Sequence, residues 1–294
     1  MAPPTIPGPV LVAVDGSQDA YVAASAAADL VAATGAPLHL VHVVREPAEE
    51  WGMPVEALLT FRRRRARRII ADHAAQENEL NVDVAESHLV DGNPVDGILD
   101  VAHEIGAALV VVGSRGRRQR HTPLLGSVAE GLVHHSTIAL LVLRGAESWP
   151  PQQVVVGDDG SAGSAAAGRL GAAIAQATGA SIVLVRALPD LAHVLEQPSV
   201  LDAARTAEIR AAIDTSLSDR VTRLATVARV PINRRIVIDD AADSLVQAAR
   251  ETGAGLVAVG RRGLGRVQRL RLGSVSIAVL HAAPGAVLVV PVGG

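Results

Sequence analysis

The chain has 294 residues, of which 49% are hydrophobic, and a formal net charge of -3, so it is long enough for two domains of about 150 residues with sizeable cores. Aromatic residues make up only 1% and cysteine is missing, which excludes base stacking on aromatic rings, disulfides, thiol catalysis and thiolate metal sites. Every basic residue is an arginine, so mechanisms that require lysine, such as the Walker P-loop, are excluded as well.

The first predicted elements are an apolar strand near 10–14 and an alanine-rich helix near 19–34. Short runs of Val, Leu and Ile then alternate with stretches at helical spacing, which is typical of a parallel sheet covered by helices. The further strands are predicted near 38–43, 83–90, 108–113 and 139–143, and the further helices near 55–79, 95–105 and 127–136. Five strands with crossover helices predict an open, doubly wound sheet.

The second half of the chain repeats the first half in the same order. VLVAVDGS at 10–17 corresponds to VVVGDDGS at 154–161, and GAALVVVG at 106–113 corresponds to GAGLVAVG at 253–260. The first pair is offset by 144 residues and the second by 147, which places a small insertion in the middle of the second copy. The repeat predicts two domains of the same fold.

A short connector separates the two copies. It reads GAESWPPQQ at 145–153, where Pro150 and Pro151 block helix formation and strand pairing. We therefore expect two domains, 1–148 and 149–294. The predicted fold is α/β, with two tandem doubly wound domains that each hold an open five-stranded parallel sheet flanked by helices.

A glycine-rich segment follows the predicted fourth strand of each half. GSRGRRQRHTPLLGS at 113–127 and GRRGLGRVQRLRLGS at 260–274 share Gly, two residues, Gly, nine residues, Gly and Ser, while the residues between them differ. Glycines allow a close backbone approach, and a helix that begins after such a loop directs amide groups at an anion. A strand-to-helix turn with a serine cap would explain one such loop equally well. The same spacing in two diverged copies favours a phosphate ligand.

Both halves resemble the universal stress protein family in its ATP-binding form, because the full glycine spacing, the opening DGS and the second-strand VHV occur in order. The resemblance covers nearly the entire chain as a tandem pair. It implies a site for ATP, with Mg²⁺ as a candidate ion. In that site a carboxylate contacts the ribose, the second strand contacts the adenine, and the glycine loop contacts the phosphates. The implied residues are Asp15, Val43, Gly113, Gly116, Gly126 and Ser127, and in the second half Asp159, Ala187, Gly260, Gly263, Gly273 and Ser274.

The resemblance leaves three functions open. The preferred one is a regulatory protein in which nucleotide occupancy modulates conformation or the binding of an unidentified protein partner under stress. The second is a slow Mg²⁺-dependent ATPase or nucleotidyl-transfer enzyme that uses Ser127 and Ser274, and the third is an interaction module without nucleotide. No Ser, His and Asp set recurs in both halves at plausible spacing, so we expect no dedicated catalysis.

Cellular location and further partners are also predicted from the sequence. The start MAPPTIPGPV lacks the features of a signal peptide, and no run reaches the roughly 18 apolar residues of a membrane span. We expect a cytoplasmic, soluble protein that binds neither membranes nor nucleic acid, and we leave open whether tandem chains pair as a homodimer.

Two further features have a structural interpretation. The run FRRRRARR at 61–68 is interpreted as a solvated helix that faces its own carboxylates, since helical spacing spreads its charges around the axis. Gly92 and Pro94, before the third helix, correspond to Asp239 and Ala241 in the second half. We expect that difference to alter the start of a helix and not the binding site.

Overall fold

The structure is a computed structural model that describes residues 5–45, 55–116, 125–145, 149–188, 203–261 and 273–291. The chain divides into two compact units, 1–147 and 148–294. In the described part of each unit, strands and helices alternate along the chain. None of the described helices is long and apolar enough to cross a membrane.

The first unit alternates five strands with four helices over its described residues. Its elements are β1 (Val10–Ala13), α1 (Gln18–Thr34), β2 (Leu38–Val44), α2 (Val55–Glu79), β3 (Val84–Asp91), α3 (Pro94–Glu104), β4 (Leu109–Gly113), α4 (Ser127–His135) and β5 (Ala139–Leu143). All strand pairs are parallel, and the spatial order is β3-β2-β1-β4-β5. The predicted α/β fold with a five-stranded, doubly wound sheet is confirmed, because β1 lies between β2 and β4.

The second unit repeats this arrangement. Its described elements are β6 (Gln153–Gly157), α5 (Ala162–Thr178), β7 (Ser181–Ala187), α6 (Ala203–Ala225), β8 (Ile232–Val237), α7 (Ala241–Thr252), β9 (Leu256–Gly260), α8 (Ser274–Ala282) and β10 (Ala286–Val290). The strands are again parallel, in the order β8-β7-β6-β9-β10. The duplication visible in the sequence is therefore a duplication of the fold.

Small aliphatic side chains form the core of each unit. Leu11, Leu40 and Leu109 are completely buried between the two helical layers of the first unit, and Ile182 and Leu184 are equally buried in the second. Strands covered on both faces need continuous apolar runs, which is why β4 reads LVVVG and β9 reads LVAVG. Each such buried side chain contributes about 1.5–3 kcal/mol through removal of apolar surface from water.

The third helix of each half begins with a side-chain cap, although the flanking residues differ. In α3, Asn93 accepts a hydrogen bond from the amide of Val95, and Pro94 occupies the first helical position. In α7, Asp240 accepts from the amides of Ala242 and Asp243. The sequence difference between the halves thus changes the capping residue and keeps the helix start.

Candidate functional site

A cavity of about 530 Å³ opens at the carboxyl edge of the first sheet. It lies where the strand order reverses, which is the position at which doubly wound sheets bind ligands. The residues that the sequence assigned to the first site all line it, and they come from the ends of β1, β2 and β4 and from the start of α4. They are Asp15, Val43, Gly113, Gly116, Gly126 and Ser127.

Asp15 follows β1 and orders the turn into α1. Its Oδ1 accepts a hydrogen bond from the amide of Ser17 at 2.9 Å, and Ser17 caps α1 by accepting from the amide of Ala20 at 3.2 Å. A Cβ atom added to Gly116 would lie 3.0 Å from Oδ2 of Asp15. Glycine at position 116 therefore lets the loop after β4 approach this carboxylate.

Gly113 has a packing role in addition to its place in the cavity. A Cβ atom at Gly113 would lie 2.6 Å from the carbonyl carbon of Asp19, inside the first turn of α1. In the second unit, a Cβ atom at Gly260 would lie 2.7 Å from the carbonyl carbon of Gly163. Contact between strand and helix thus requires glycine at both positions, whichever ligand is bound.

The start of α4 presents the amides of its first turn to the cavity. The amide of Gly126 donates to the carbonyl of Ser114 at 2.7 Å, and the first intrahelical bond runs from the amide of Glu130 to the carbonyl of Gly126 at 2.9 Å. Helix geometry leaves the amides of the first turn, at positions 127–129, without an intrahelical acceptor. These amides, and not that of Gly126, are available for an anion in the cavity. Ser127 is exposed there.

Arginines dominate the charge of the cavity. The lining includes Arg45, Arg62, Arg65 and Arg115, with Asp15 as the single acidic side chain among the described lining residues. Arg62 donates from Nη1 to the carbonyl of Arg45 at 2.8 Å, and Nε of Arg115 donates to Oδ2 of Asp19 at 3.2 Å. The excess of cations creates a positive field that favours an anionic ligand.

Sequence reasoning missed the two arginines that α2 contributes. The solvated-helix interpretation fits Arg63, whose Nη2 lies 2.6 Å from Oδ2 of Asp91, but Arg62 and Arg65 line the cavity together with Ile69. Positions 62, 65 and 69 are spaced as i, i+3 and i+7, which places them on one face of a helix. That spacing was the available signal.

His42 lies on β2 at the same edge. Its Nδ1 is 2.6 Å from the carbonyl oxygen of Val14, so Nδ1 carries the proton in this contact. Burial lowers the pKa of His42, against smaller opposing effects of the Val14 carbonyl and Asp15. The ring is therefore neutral at pH 7 and ties the end of β1 to β2.

The second unit has charged side chains at the equivalent positions. Asp158 and Arg186 correspond, at the offset of 144 residues, to Val14 and His42. Nη2 of Arg186 is hydrogen-bonded to Oδ2 of Asp158, and Nε of Arg220 lies 3.1 Å from Oδ1 of the same carboxylate, whose side chain is only 1% exposed. One buried carboxylate thus holds two arginines in an internal ion cluster here.

The described residues of the predicted second site also lie at strand ends or helix starts of their unit. Asp159 follows β6 and accepts from the amide of Ser161 at 2.9 Å. Ala187 ends β7, Gly260 ends β9, and Gly273 and Ser274 begin α8. The remaining predicted residue, Gly263, lies outside the described residues.

The two tandem units place the chain among the doubly wound α/β proteins, and the cavity of the first unit lies at the edge of the sheet where such folds bind ligands. The model of the universal stress protein family matches twice, at residues 8–144 and 151–291. The chain therefore belongs to the universal stress protein family.

Two curated relatives span nearly the same length as this chain. A universal stress protein of Mycobacterium tuberculosis H37Rv is 33% identical over 293 residues, which cover 95% of this chain and 96% of that protein. A second one from the same strain is 30% identical over 290 residues, covering 95% of each. The crystal structure of a universal stress protein from Archaeoglobus fulgidus covers 98% of this chain and 97% of its own, with a TM-score of 0.70 at 17% identity. The likeness to that structure extends the shared fold over both units.

Proposed function

We propose that the first unit binds an adenine nucleotide, foremost ATP, and that occupancy of its cleft modulates conformation or partner binding in this universal stress protein. The observation that carries the proposal is a cavity of about 530 Å³ that joins the Asp15 carboxylate, the end of β2 at Val43 and the start of α4. Such a volume is within the range of cavities that hold small ligands, about 300–1,000 Å³.

Each part of a nucleotide has a chemically suitable partner in this cleft. The carboxylate of Asp15 accepts hydrogen bonds from ribose hydroxyls. The main chain at Val43 pairs with the edge of adenine, while Val41 and Ile98, which also line the cavity, supply apolar contact. The first turn of α4 and the loop glycines at 113 and 116 hold the phosphates, since a helix start favours anions.

The charge of the lining favours a triphosphate over a cyclic monophosphate. Arg115 is paired with Asp19, but Arg45, Arg62 and Arg65 line the cavity against the one carboxylate of Asp15. A ligand with several negative charges therefore gains more than a ligand with one. The hydroxyl of Ser127 is a candidate hydrogen-bond partner for a water bound to the Mg²⁺ ion that accompanies such a ligand.

The second unit is a separate candidate site with a different charge pattern. Its corresponding residues are Asp159, Ala187, Gly260, Gly263, Gly273 and Ser274. The side chains of Arg186 and Arg220 are held there by the one carboxylate of Asp158, so these two guanidinium groups are engaged in an internal cluster. We further propose a cytoplasmic location, which the cysteine-free composition supports, and a protein partner that responds to occupancy.

Two arginines on one helix provide a matched test. Arg65 lines the cavity, whereas Arg63, two residues away, pairs with Asp91. Titration calorimetry should show ATP binding to the natural chain, roughly tenfold weaker binding to Arg65→Gln, and unchanged binding to Arg63→Gln, since tenfold corresponds to about 1.4 kcal/mol. Equal effects of both substitutions, or no heat with the natural chain, would contradict the assignment of the cleft.

The ligand class and the question of catalysis are tested on the same preparation. Mass analysis of nucleotide released from the purified, denatured protein identifies the bound species. A product assay with ATP and Mg²⁺ then separates a regulatory nucleotide site from a slow ATPase. Stoichiometric ATP without ADP formation is the expected result, and rapid conversion to ADP would favour the enzyme.

A further inference from the structure

Two histidines and a glutamate meet on the neighbouring strands β2 and β3 of the first sheet, away from the proposed nucleotide site. Nδ1 of His39 lies 3.1 Å from Nε2 of His88, and Nε2 of His88 lies 3.9 Å from Oε2 of Glu86. One potential ligand atom from each residue lies within 4.8 Å of the other two. None of the three residues lines the cavity of the proposed nucleotide site.

The pairing of β2 with β3 produces this cluster. The register shifts between Leu38 and His39, and the shift sets Glu86 opposite His39. Since side chains two residues apart point to the same face of a strand, Glu86 and His88 lie on one face of β3. The cluster is thus built by the sheet backbone and not by a loop.

We propose that His39, Glu86 and His88 form a binding site for one divalent transition-metal ion of the Zn²⁺ class. Imidazole and carboxylate suit Zn²⁺, Cu²⁺ and Ni²⁺, whereas Mg²⁺ prefers oxygen ligands only. At Zn–N distances of about 2.0–2.1 Å, two tetrahedral ligand atoms lie roughly 3.3 Å apart. The observed 3.1 Å between the two histidine nitrogens is close to that spacing.

The carboxylate supplies the third ligand, and solvent supplies the rest. The side chain of Glu86 is 64% exposed, whereas that of His88 is 13% exposed, so Glu86 is free to rotate and shorten its 3.9 Å separation from His88. Three protein ligands leave a fourth tetrahedral position open to water. The arrangement therefore resembles an open metal site rather than a closed structural one.

In the absence of metal, the two facing ring nitrogens lie at hydrogen-bond distance, 3.1 Å, so one ring donates its N–H proton to the other. A metal ion replaces that proton, and the rings turn so that both lone pairs converge on the ion.

The second unit offers an internal comparison. At the offset of 144 residues, Val183 replaces His39, and this valine is buried. Within the described residues, no other group of three or more His, Cys, Asp or Glu side chains has its ligand atoms gathered in this way. We therefore expect one such ion per chain, in the first unit.

Zinc titration of the full chain, without nucleotide and in a buffer that does not chelate, tests the proposal. The natural chain should bind one Zn²⁺, and His39→Asn/His88→Asn should bind it at least a hundredfold more weakly. Glu86→Gln should bind Zn²⁺ about tenfold more weakly than the natural chain. Because Glu86 is exposed, this variant should fold, and it tests the site even if the double variant does not fold. His103→Gln is the matched control, because His103 contacts Thr137 and lies outside the cluster.

Two further measurements define the chemistry of the site. Co²⁺ should give visible d–d absorption with the natural chain and lose it in the double variant, and excess Mg²⁺ should not displace Zn²⁺. Failure of the natural chain to bind Zn²⁺, or equal binding by the natural chain and by all cluster variants, would overturn the proposal. Because no nucleotide is present, either result is independent of the nucleotide assignment.

Discussion

Arg186 donates from Nη2 to the carboxylate of Asp158, and both residues are buried in the second unit. Arg220 contacts the other oxygen of that carboxylate at 3.1 Å. The equivalent positions of the first unit hold Val14 and His42. The two copies thus use the same backbone positions for an ion cluster in one case and for a neutral contact in the other.

Removal of the shared carboxylate should destabilise the protein. Asp158→Asn leaves two arginines in or near the interior without their anion, and breaking a buried pair in this way costs about 3–5 kcal/mol. Urea denaturation followed by circular dichroism measures this loss. The double substitution Asp158→Val with Arg186→His recreates the first unit's residues at these two positions and removes one of the two arginines, so it should recover part of the loss; a double variant no more stable than Asp158→Asn would contradict this explanation.

These positions also illustrate which features the sequence could predict. The strands and helices of the first half lie within one residue of their predicted ends, because runs such as LVVVG and the caps of α1 and α3 are local signals. The contact between Asp158 and Arg186 joins residues 28 positions apart and depends on the pairing of β6 with β7. Alignment of the two halves shows that both positions changed, but only the sheet shows that they touch.

The candidate site was predictable to a similar degree. The motif spacing selected residues that line one cavity, since strand ends in a doubly wound sheet converge. The helical spacing of Arg62 and Arg65 was readable, but their direction depends on how α2 packs against the sheet. The hydrogen bond from Gly126 to Ser114 depends on the loop path, which glycine spacing alone does not fix.

A second prediction concerns pH and a buried pair on α2. His73 and Glu77 have no exposed surface, the ring of Tyr21 stacks on that of His73 with centroids 4.0 Å apart, and the side-chain polar atoms of both have no hydrogen-bond partner among the described residues. Burial raises the pKa of Glu77 to about 7, with Asp29 as a second cause, and lowers that of His73 to about 4.

The two shifts have opposite effects on stability. The folded-state pKa of Glu77 lies above its usual 4.5. The contribution of Glu77 to the stability of the fold is therefore fully present below pH 4.5 and is lost as the pH rises through 7. The folded-state pKa of His73 lies below its usual 6.5, so its contribution is lost as the pH falls from 6.5 towards 4. Between these limits the two trends largely cancel.

Glu77→Gln should therefore stabilise the protein selectively at alkaline pH. At about pH 8 the free energy of unfolding of the variant should exceed that of the natural chain by up to about 3 kcal/mol, because the buried charge is gone. Near pH 4.5 the two free energies should be similar. Denaturation midpoints across this pH range measure the difference. Glu79→Gln, exposed on the same helix, serves as the control. The same change in stability with pH in both variants would contradict an unfavourable buried charge at Glu77.

A third prediction separates packing from ligand contact in the glycine loop. Gly113→Ala places Cβ 2.6 Å from the backbone of Asp19, so α1 must shift and stability should fall by about 1–3 kcal/mol. Gly116→Ala meets only the carboxylate of Asp15 at 3.0 Å, so it should reduce ATP affinity with little change in stability. Thermal unfolding and titration calorimetry on the same samples compare the two; the reverse pattern would refute the packing role of Gly113.

The last prediction concerns a negative charge at the start of α4, which should stabilise the helix and repel a phosphate. Ser127 is exposed at the first position of α4, where an acidic side chain stabilises a helix by roughly 0.3–1 kcal/mol through the dipole. Ser127→Asp should therefore leave the melting temperature unchanged or slightly higher, yet weaken ATP binding by at least tenfold, because the new charge lies beside the amides proposed to hold phosphate. Ser127→Asn, which is neutral and similar in size, should keep most of the affinity. If the aspartate variant bound ATP as tightly as the asparagine variant, the phosphates would not lie at the start of α4.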